Sequence, residues 1–279
     1  MTQVSIPTTR FRDGTPIPLI GLGTYGLQGP PGVRSMVAAL SMGYRLLDTA
    51  AQYGNEAAVG EAIHASGIPR GELFVTTKVA GGDQGRNAAR RGVEGSLRRL
   101  NLVRCDLVLI HWPNPSRGLA VETWQTLLDL KNEGLIAHAG VSNFSPAQLT
   151  ELYDATGEWP ELNQIQLSPA LPRQASVDFH SEHDILTQAW GPLGQREGLM
   201  DQFVMKKVAA KHGVKAEQVA LRWAVDQGFI VIPKSSDPER QRTNAGLDGF
   251  RLDDDDRALL ASLDLGDAAA WDPTVHEEW

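Results

Sequence analysis

Asp48, Tyr53, Lys78 and His111 are side chains that can share and move a proton, and each lies at or just beyond a short apolar run. Lys78 follows Phe74-Val75-Thr76-Thr77, His111 follows Leu107 to Ile110, and Tyr53 stands five residues after Asp48. An unperturbed phenol titrates near pH ~10 and is a poor acid at neutrality. A buried lysine beside it favours the phenolate, and a fall of about 3 pH units is worth roughly 4 kcal/mol. Asp48 would hold Lys78 charged, and His111 is placed to hydrogen-bond the same substrate oxygen. No nucleophile with a matched base accompanies these residues, and none has metal-ligand spacing. What remains is an acid that protonates a carbonyl oxygen while a cofactor delivers hydride.

Such residues meet only if the fold gathers the ends of distant runs. Ile20 to Gly23, Arg45 to Asp48, Phe74 to Lys78, Leu107 to His111, Ala139 to Ser142, Leu162 to Gln166, Leu186 to Trp190 and Ile230 to Pro233 read as strands. Amphipathic stretches alternate with them, which is the pattern of β-α units around a parallel sheet. Asp48, Lys78, His111 and Ser142 are separated by 30, 33 and 31 residues, a structural period. The expected fold is therefore α/β, a (β/α)8 TIM barrel, as one domain over residues 1–279, with the polar run ends at one mouth. Gln164, Trp190, Lys234 and Ser235 fall at further run ends. The Asp13-Gly14 turn inside Gln3 to Leu19 predicts an N-terminal β-hairpin closing the barrel bottom. Leu27-Gln28-Gly29-Pro30-Pro31-Gly32 reads as a loop, so the first helix is expected from Val33. A C-terminal helix starts at Asp253 to Asp256, and the tail after it carries Trp271 and Trp279, placed to fold over the mouth.

The chain has 279 residues, 42% of them hydrophobic, and a net charge of -8, which disfavours nucleic acid and anionic membranes as partners. Its one cysteine, Cys105, lies in the apolar run CDLVLI and excludes an intrachain disulfide. MTQVSIPTTR lacks a leader pattern, and no run of about 18 apolar residues occurs. These features lead us to expect a cytoplasmic monomer acting on a small molecule. His180, Glu182, His183 and Asp184 read as a solvated face at the barrel bottom and not as a metal site, and the four aspartates at 253 to 256 as a helix start. GLGTYG has dinucleotide-fingerprint spacing, with Asp48 22 positions after Gly26, but alone it is weak.

GLGTYG, LLDTAAQYGNE, FVTTK, DLVLIHWP, GVSNF, NQIQLSP, AWGPLGQ and IPKSSDPER run in that order over nearly the whole chain, and together they resemble the aldo-keto reductase family. AWGPLGQ, with short loops after the fourth and seventh strands, looks most like the bacterial branch that includes 2,5-diketo-D-gluconate reductases. The resemblance makes GLGTYG the first barrel strand and its loop. It implies NADPH-dependent reduction of aldehydes, ketones, keto sugars or keto acids, with Tyr53 as general acid, Lys78 and Asp48 tuning it and His111 orienting the carbonyl. It further implies a cofactor held by Thr24, by Ser142, Asn143 and Gln164 at the nicotinamide carboxamide, and by Trp190 on the ring. Gly191, Leu193 and Gln195 would line the pyrophosphate, Lys234, Ser235, Ser236 and Arg240 the 2'-phosphate, and Asn244 the adenine. Tyr25 and Trp112 would line the substrate pocket, and Ala80 stands where larger members often have tryptophan, implying a wider mouth. Two rivals remain: a nucleotide-sensing regulatory module, opposed by the complete set of four, and a barrel glycosidase, opposed by the lack of a second strand-end carboxylate.

Overall fold

The structure, a computed structural model, describes residues 4–278. A hairpin of β1 (Thr8–Arg10) and β2 (Pro16–Pro18) precedes eight parallel strands: β3 (Leu22–Gly23), β4 (Leu46–Asp48), β5 (Phe74–Val79), β6 (Cys105–Ile110), β7 (Ile136–Ser142), β8 (Leu162–Gln166), β9 (Leu186–Trp190) and β10 (Ile230–Val231). They pair in chain order, and the circle closes where Gly21 N donates to Val231 O and Val231 N to Leu19 O, both at 2.8 Å. A Cβ on residue 23 would lie 2.6 Å from the Ile232 carbonyl oxygen, so the second glycine of GLGTYG lets the last strand approach the first. The fold is a (β/α)8 barrel.

Leu107, Val108, Leu109 and Ile110 are all fully buried, because a strand with barrel interior on one face and helices on the other reads as a continuous apolar run. Each such side chain contributes about 1.5 to 3 kcal/mol over leaving it exposed. The helices are α1 (Gly29–Met42), α2 (Glu56–Ser66), α3 (Arg86–Leu100), α4 (Ala120–Asn132), α5 (Pro146–Thr156), α6 (Gln174–Glu182), α7 (Phe203–His212), α8 (Ala216–Asp226), α9 (Pro238–Ala245) and α10 (Asp254–Ala261). In α3, Ala89, Val93, Ser96, Leu97 and Leu100 are buried at helical spacing, while the arginines between them keep the outer face wet. The hairpin plugs the opposite end from the strand C-termini: Phe11 stacks on His138 with centroids 3.9 Å apart, near the start of β7.

Two expectations are corrected. Helix α1 begins at Gly29, not Val33, because Pro30 and Pro31 lie in the first turn, where a backbone N–H has no intrahelical acceptor to lose. His180 is not on a solvated face: it is buried, its Nε2 3.0 Å from Asn163 Nδ2 and its Nδ1 2.9 Å from Thr187 Oγ1. The described hairpin spans Thr8 to Pro18, and Gln3, like Trp279, lies outside the described residues. Asp253 and Asp256 form a reciprocal capping box on α10, as acidic residues at a helix start should. Among the described residues no group of His, Cys, Asp and Glu is arranged to hold a metal, and no helix is long and apolar enough to cross a membrane.

Candidate active site

The strand C-termini open into a cleft of about 620 Å3. Asp48 ends β4 and Lys78 lies near the end of β5, one strand over, so their side chains meet inside the barrel. Lys78 Nζ donates to Asp48 Oδ1 at 2.5 Å, to Thr49 O at 2.9 Å and to Tyr53 Oη at 3.3 Å, which uses all three of its protons. Tyr53 reaches it from a 3-10 turn, Ala51–Tyr53. His111, the residue after β6, stands edge-on to the Tyr53 ring at 5.7 Å, and its Nδ1 is buried without a hydrogen-bond partner.

Burial raises the Asp48 carboxyl above the usual carboxylate range, against the opposing charge of Lys78 and the amide of Gln164. Burial would lower Lys78, but Asp48 and Tyr53 carry it above its ordinary value, so the ammonium stays charged. Burial raises the Tyr53 phenol; Lys78 pulls it down as expected, but Asp48 and Glu278 add to the rise and the net direction is up. The expected fall is therefore reversed, because desolvating the phenolate costs more than one already paired lysine returns. Burial, then the Lys78 charge, lowers His111 to about 3, leaving a neutral imidazole.

Beside these four lies a row of amides. Asn143, in left-handed backbone with φ 64°, donates to His111 O and Ser142 Oγ and accepts from Trp190 Nε1 at 2.7 Å. Gln164 Nε2 donates to Asp48 Oδ2 and to Gln188 Oε1, both at 2.7 Å. Ser142, Asn143, Gln164 and Trp190 line the cleft, with Thr24, Tyr25, Trp112, Gly191, Leu193, Gln195 and Lys234. Lys78 is fully buried behind its wall. Ser235, Ser236, Arg240 and Asn244 are not part of that lining; they follow Lys234 in the turn and helix after β10. Ser235 Oγ is turned onto Asp237, and Asp237 Oδ1 accepts from Arg240 N at 2.9 Å. The start of α9 is thus capped by a carboxylate.

Several site residues escaped the sequence reading. Asn55, buried, donates to Thr24 O and Leu27 O and accepts from Thr49 Oγ1, tying the turn that carries Tyr53 to the loop after β3. The tail supplies one more, Glu278, beside Trp271, which the sequence reading did place over the mouth. Trp271 lines the cleft, 5.8 Å from Trp112 and 5.9 Å from Trp190 between ring centroids, and Glu278 lines it beside His111. Composition marks the tail as acidic and aromatic, but no local pattern says where it lands.

The aldo/keto reductase family model matches residues 19–265. The chain is 46% identical over 274 residues to 2,5-diketo-D-gluconic acid reductase B of Corynebacterium sp., covering 98% of this chain and 99% of that protein. It is 39% identical over 265 residues to methylglyoxal reductase DkgA of Salmonella typhimurium, covering 95% and 96% of the two. Among solved structures, a mutant of Gox0644 crystallised in complex with NADPH superposes with a TM-score of 0.92 at 38% identity, covering 98% of this chain and 99% of that one. By its barrel, its buried Asp-Lys-Tyr cluster and these likenesses, the chain belongs to the aldo/keto reductase family.

Proposed function

We propose that the protein is an NADPH-dependent oxidoreductase that reduces aldehydes and ketones to alcohols, with Tyr53 as the general acid. One observation carries the reading: a phenol that keeps its proton stands 3.3 Å from a charged lysine and edge-on to a neutral histidine, at the wall of an open cleft. The cleft fits a nicotinamide cofactor on the chemistry of its donors. Trp190 offers a flat ring whose edge is fixed by Asn143, and Gln164, its amide nitrogen already engaged, leaves its carbonyl oxygen as an acceptor beside Ser142 and Asn143. Lys234 and Arg240 are the cations suited to a 2'-phosphate.

NADPH, when bound, supplies the hydride that adds to the carbonyl carbon. Tyr53 Oη gives its proton to the carbonyl oxygen, so the C=O becomes CH–OH and the phenol a phenolate. Lys78 stabilises that phenolate through the hydrogen bond already present, and Asp48 keeps Lys78 charged without taking its proton. His111, neutral, donates a hydrogen bond to the same oxygen and fixes the carbonyl in line with Tyr53. The Gox0644 complex with NADPH and the reductase names of the similar proteins support this reading. The test is NADPH oxidation by the wild-type protein against a panel of aldehydes, ketones and keto acids. Turnover supports it; tight NADPH binding with no turnover on any of them would favour a nucleotide-sensing module.

A further inference from the structure

We propose that Glu278 sets substrate charge: held by the C-terminal strap at the carbonyl-binding corner, its carboxylate admits neutral carbonyl compounds and rejects those with a carboxylate next to the reacting carbonyl. The proposal rests on the reductase reading and names its substrate class. The seat of Glu278 is built. Asn114, buried and in left-handed backbone at φ 46°, accepts from Glu278 N at 3.0 Å and donates to Glu278 O at 2.8 Å, pairing both backbone groups of one distant residue. Ser116 N and Oγ each donate to the Glu277 carboxylate at 2.7 Å. A Cβ on residue 81 would lie 1.8 Å from the Glu278 carbonyl oxygen, so only glycine there lets the strap close.

From this seat Glu278 Oε2 lies 3.9 Å from His111 Nδ1, the buried nitrogen that has no hydrogen-bond partner, and Oε1 lies 3.8 Å from His276 Nε2. Glu278 also acts on Tyr53, whose phenol its charge helps to raise. Asp48 and Lys78 neutralise each other, while Arg196 and Lys234 come from the loops after β9 and β10, with Arg196 laid over the Trp271 ring at 4.1 Å. An anion whose carbonyl is gripped by Tyr53 and His111 therefore brings its carboxylate against Glu278 in a part-buried corner, where like charges repel more than in water. A neutral substrate with a hydroxyl next to its carbonyl instead finds an acceptor.

The experiment compares methyl phenylglyoxylate with phenylglyoxylate, the same ketone without and with the charge, at about pH 8, above the usual imidazole range. In Glu278→Gln the ratio of kcat/KM for the acid to that for the ester is expected to rise at least about tenfold, and in Glu278→Asp, which keeps the charge, to rise far less. A ratio within about twofold of wild type in the Gln variant overturns the proposal. A second readout does not need turnover: titration of the NADP+-loaded protein with phenylacetate and with phenylacetamide. Preferential tightening of the anion in Glu278→Gln supports the assignment, and equal changes overturn it. If the wild type reduces neither of these ketones but does reduce other carbonyl compounds, the titration alone decides the role of Glu278; if it reduces none of the wider panel, the reductase reading fails separately.

Discussion

Three hydrogen bonds exhaust the donors of Lys78, and this fixes how the site titrates. Tyr53 is raised and His111 lowered to about 3, so neither changes charge near neutrality. For reduction, which needs the protonated phenol, kcat/KM is expected to stay flat between about pH 6 and 9 and to fall only on the alkaline side. A pH–rate profile with a controlling ionisation near neutrality would contradict this assignment. Cofactor choice belongs to the same scale. With Asp237 occupying the amide of Arg240, the proposed site draws a 2'-phosphate through the Lys234 and Arg240 side chains, both exposed. A charged hydrogen bond is worth about 1.5 to 3 kcal/mol, so Arg240→Ala should raise the KM for NADPH about tenfold or more, with a much smaller change for NADH. Equal losses for both would assign Arg240 to packing. The residues proposed as catalytic were legible because Asp48, Lys78 and His111 each end an apolar run, a place where a polar side chain has little structural reason to be. The direction of the Tyr53 shift was not, since it depends on how much water the folded cleft removes.

Elements position these residues through buried amides that look like ordinary turn residues in sequence. Asn55 makes three hydrogen bonds and joins two loops of the mouth. Asn55→Ala should lower the unfolding free energy by roughly 2 to 4 kcal/mol, since it strands buried partners as well as losing its own bonds, and should reduce kcat by loosening the Tyr53 turn. Urea unfolding and steady-state kinetics check both; unchanged stability would mean that other contacts hold the turn. The strand order and most helix centres could be read from periodicity, which burial imposes directly. The start of α1 could not, because Pro30 and Pro31 signal both a loop and a helix's first turn. The tail was expected over the mouth, but its seat was illegible for a different reason: Asn114 and Glu278 are 164 residues apart, and a pairing at that range leaves no local trace.

At the scale of the whole molecule, the barrel buries two imidazoles in neutral form, and the sign of the consequence follows. His111 and His180 lie near about 3 and about 4 when folded, below the ~6.5 of an unfolded histidine, so the unfolded chain binds their protons first. The stability they contribute is present above about pH 6.5 and lost as the pH falls toward their folded values. Each adds a slope of about 1.4 kcal/mol per pH unit in that window, so urea unfolding of His180→Gln should show a shallower pH dependence between about pH 6 and 4.5. An unchanged slope would show that His180 does not contribute to acid lability. The barrel also explains why four side chains spread over 64 residues meet at one place: parallel strands around a barrel deliver their C-terminal ends to one mouth. The central claim, that Tyr53 supplies the proton, is tested most directly by Tyr53→Phe, measuring NADPH affinity by fluorescence and single-turnover reduction of a neutral aldehyde. The expected result is a dissociation constant within about twofold of wild type and a rate lower by about a hundredfold to ten-thousandfold. Reduction at a near-normal rate by the Phe variant would contradict it.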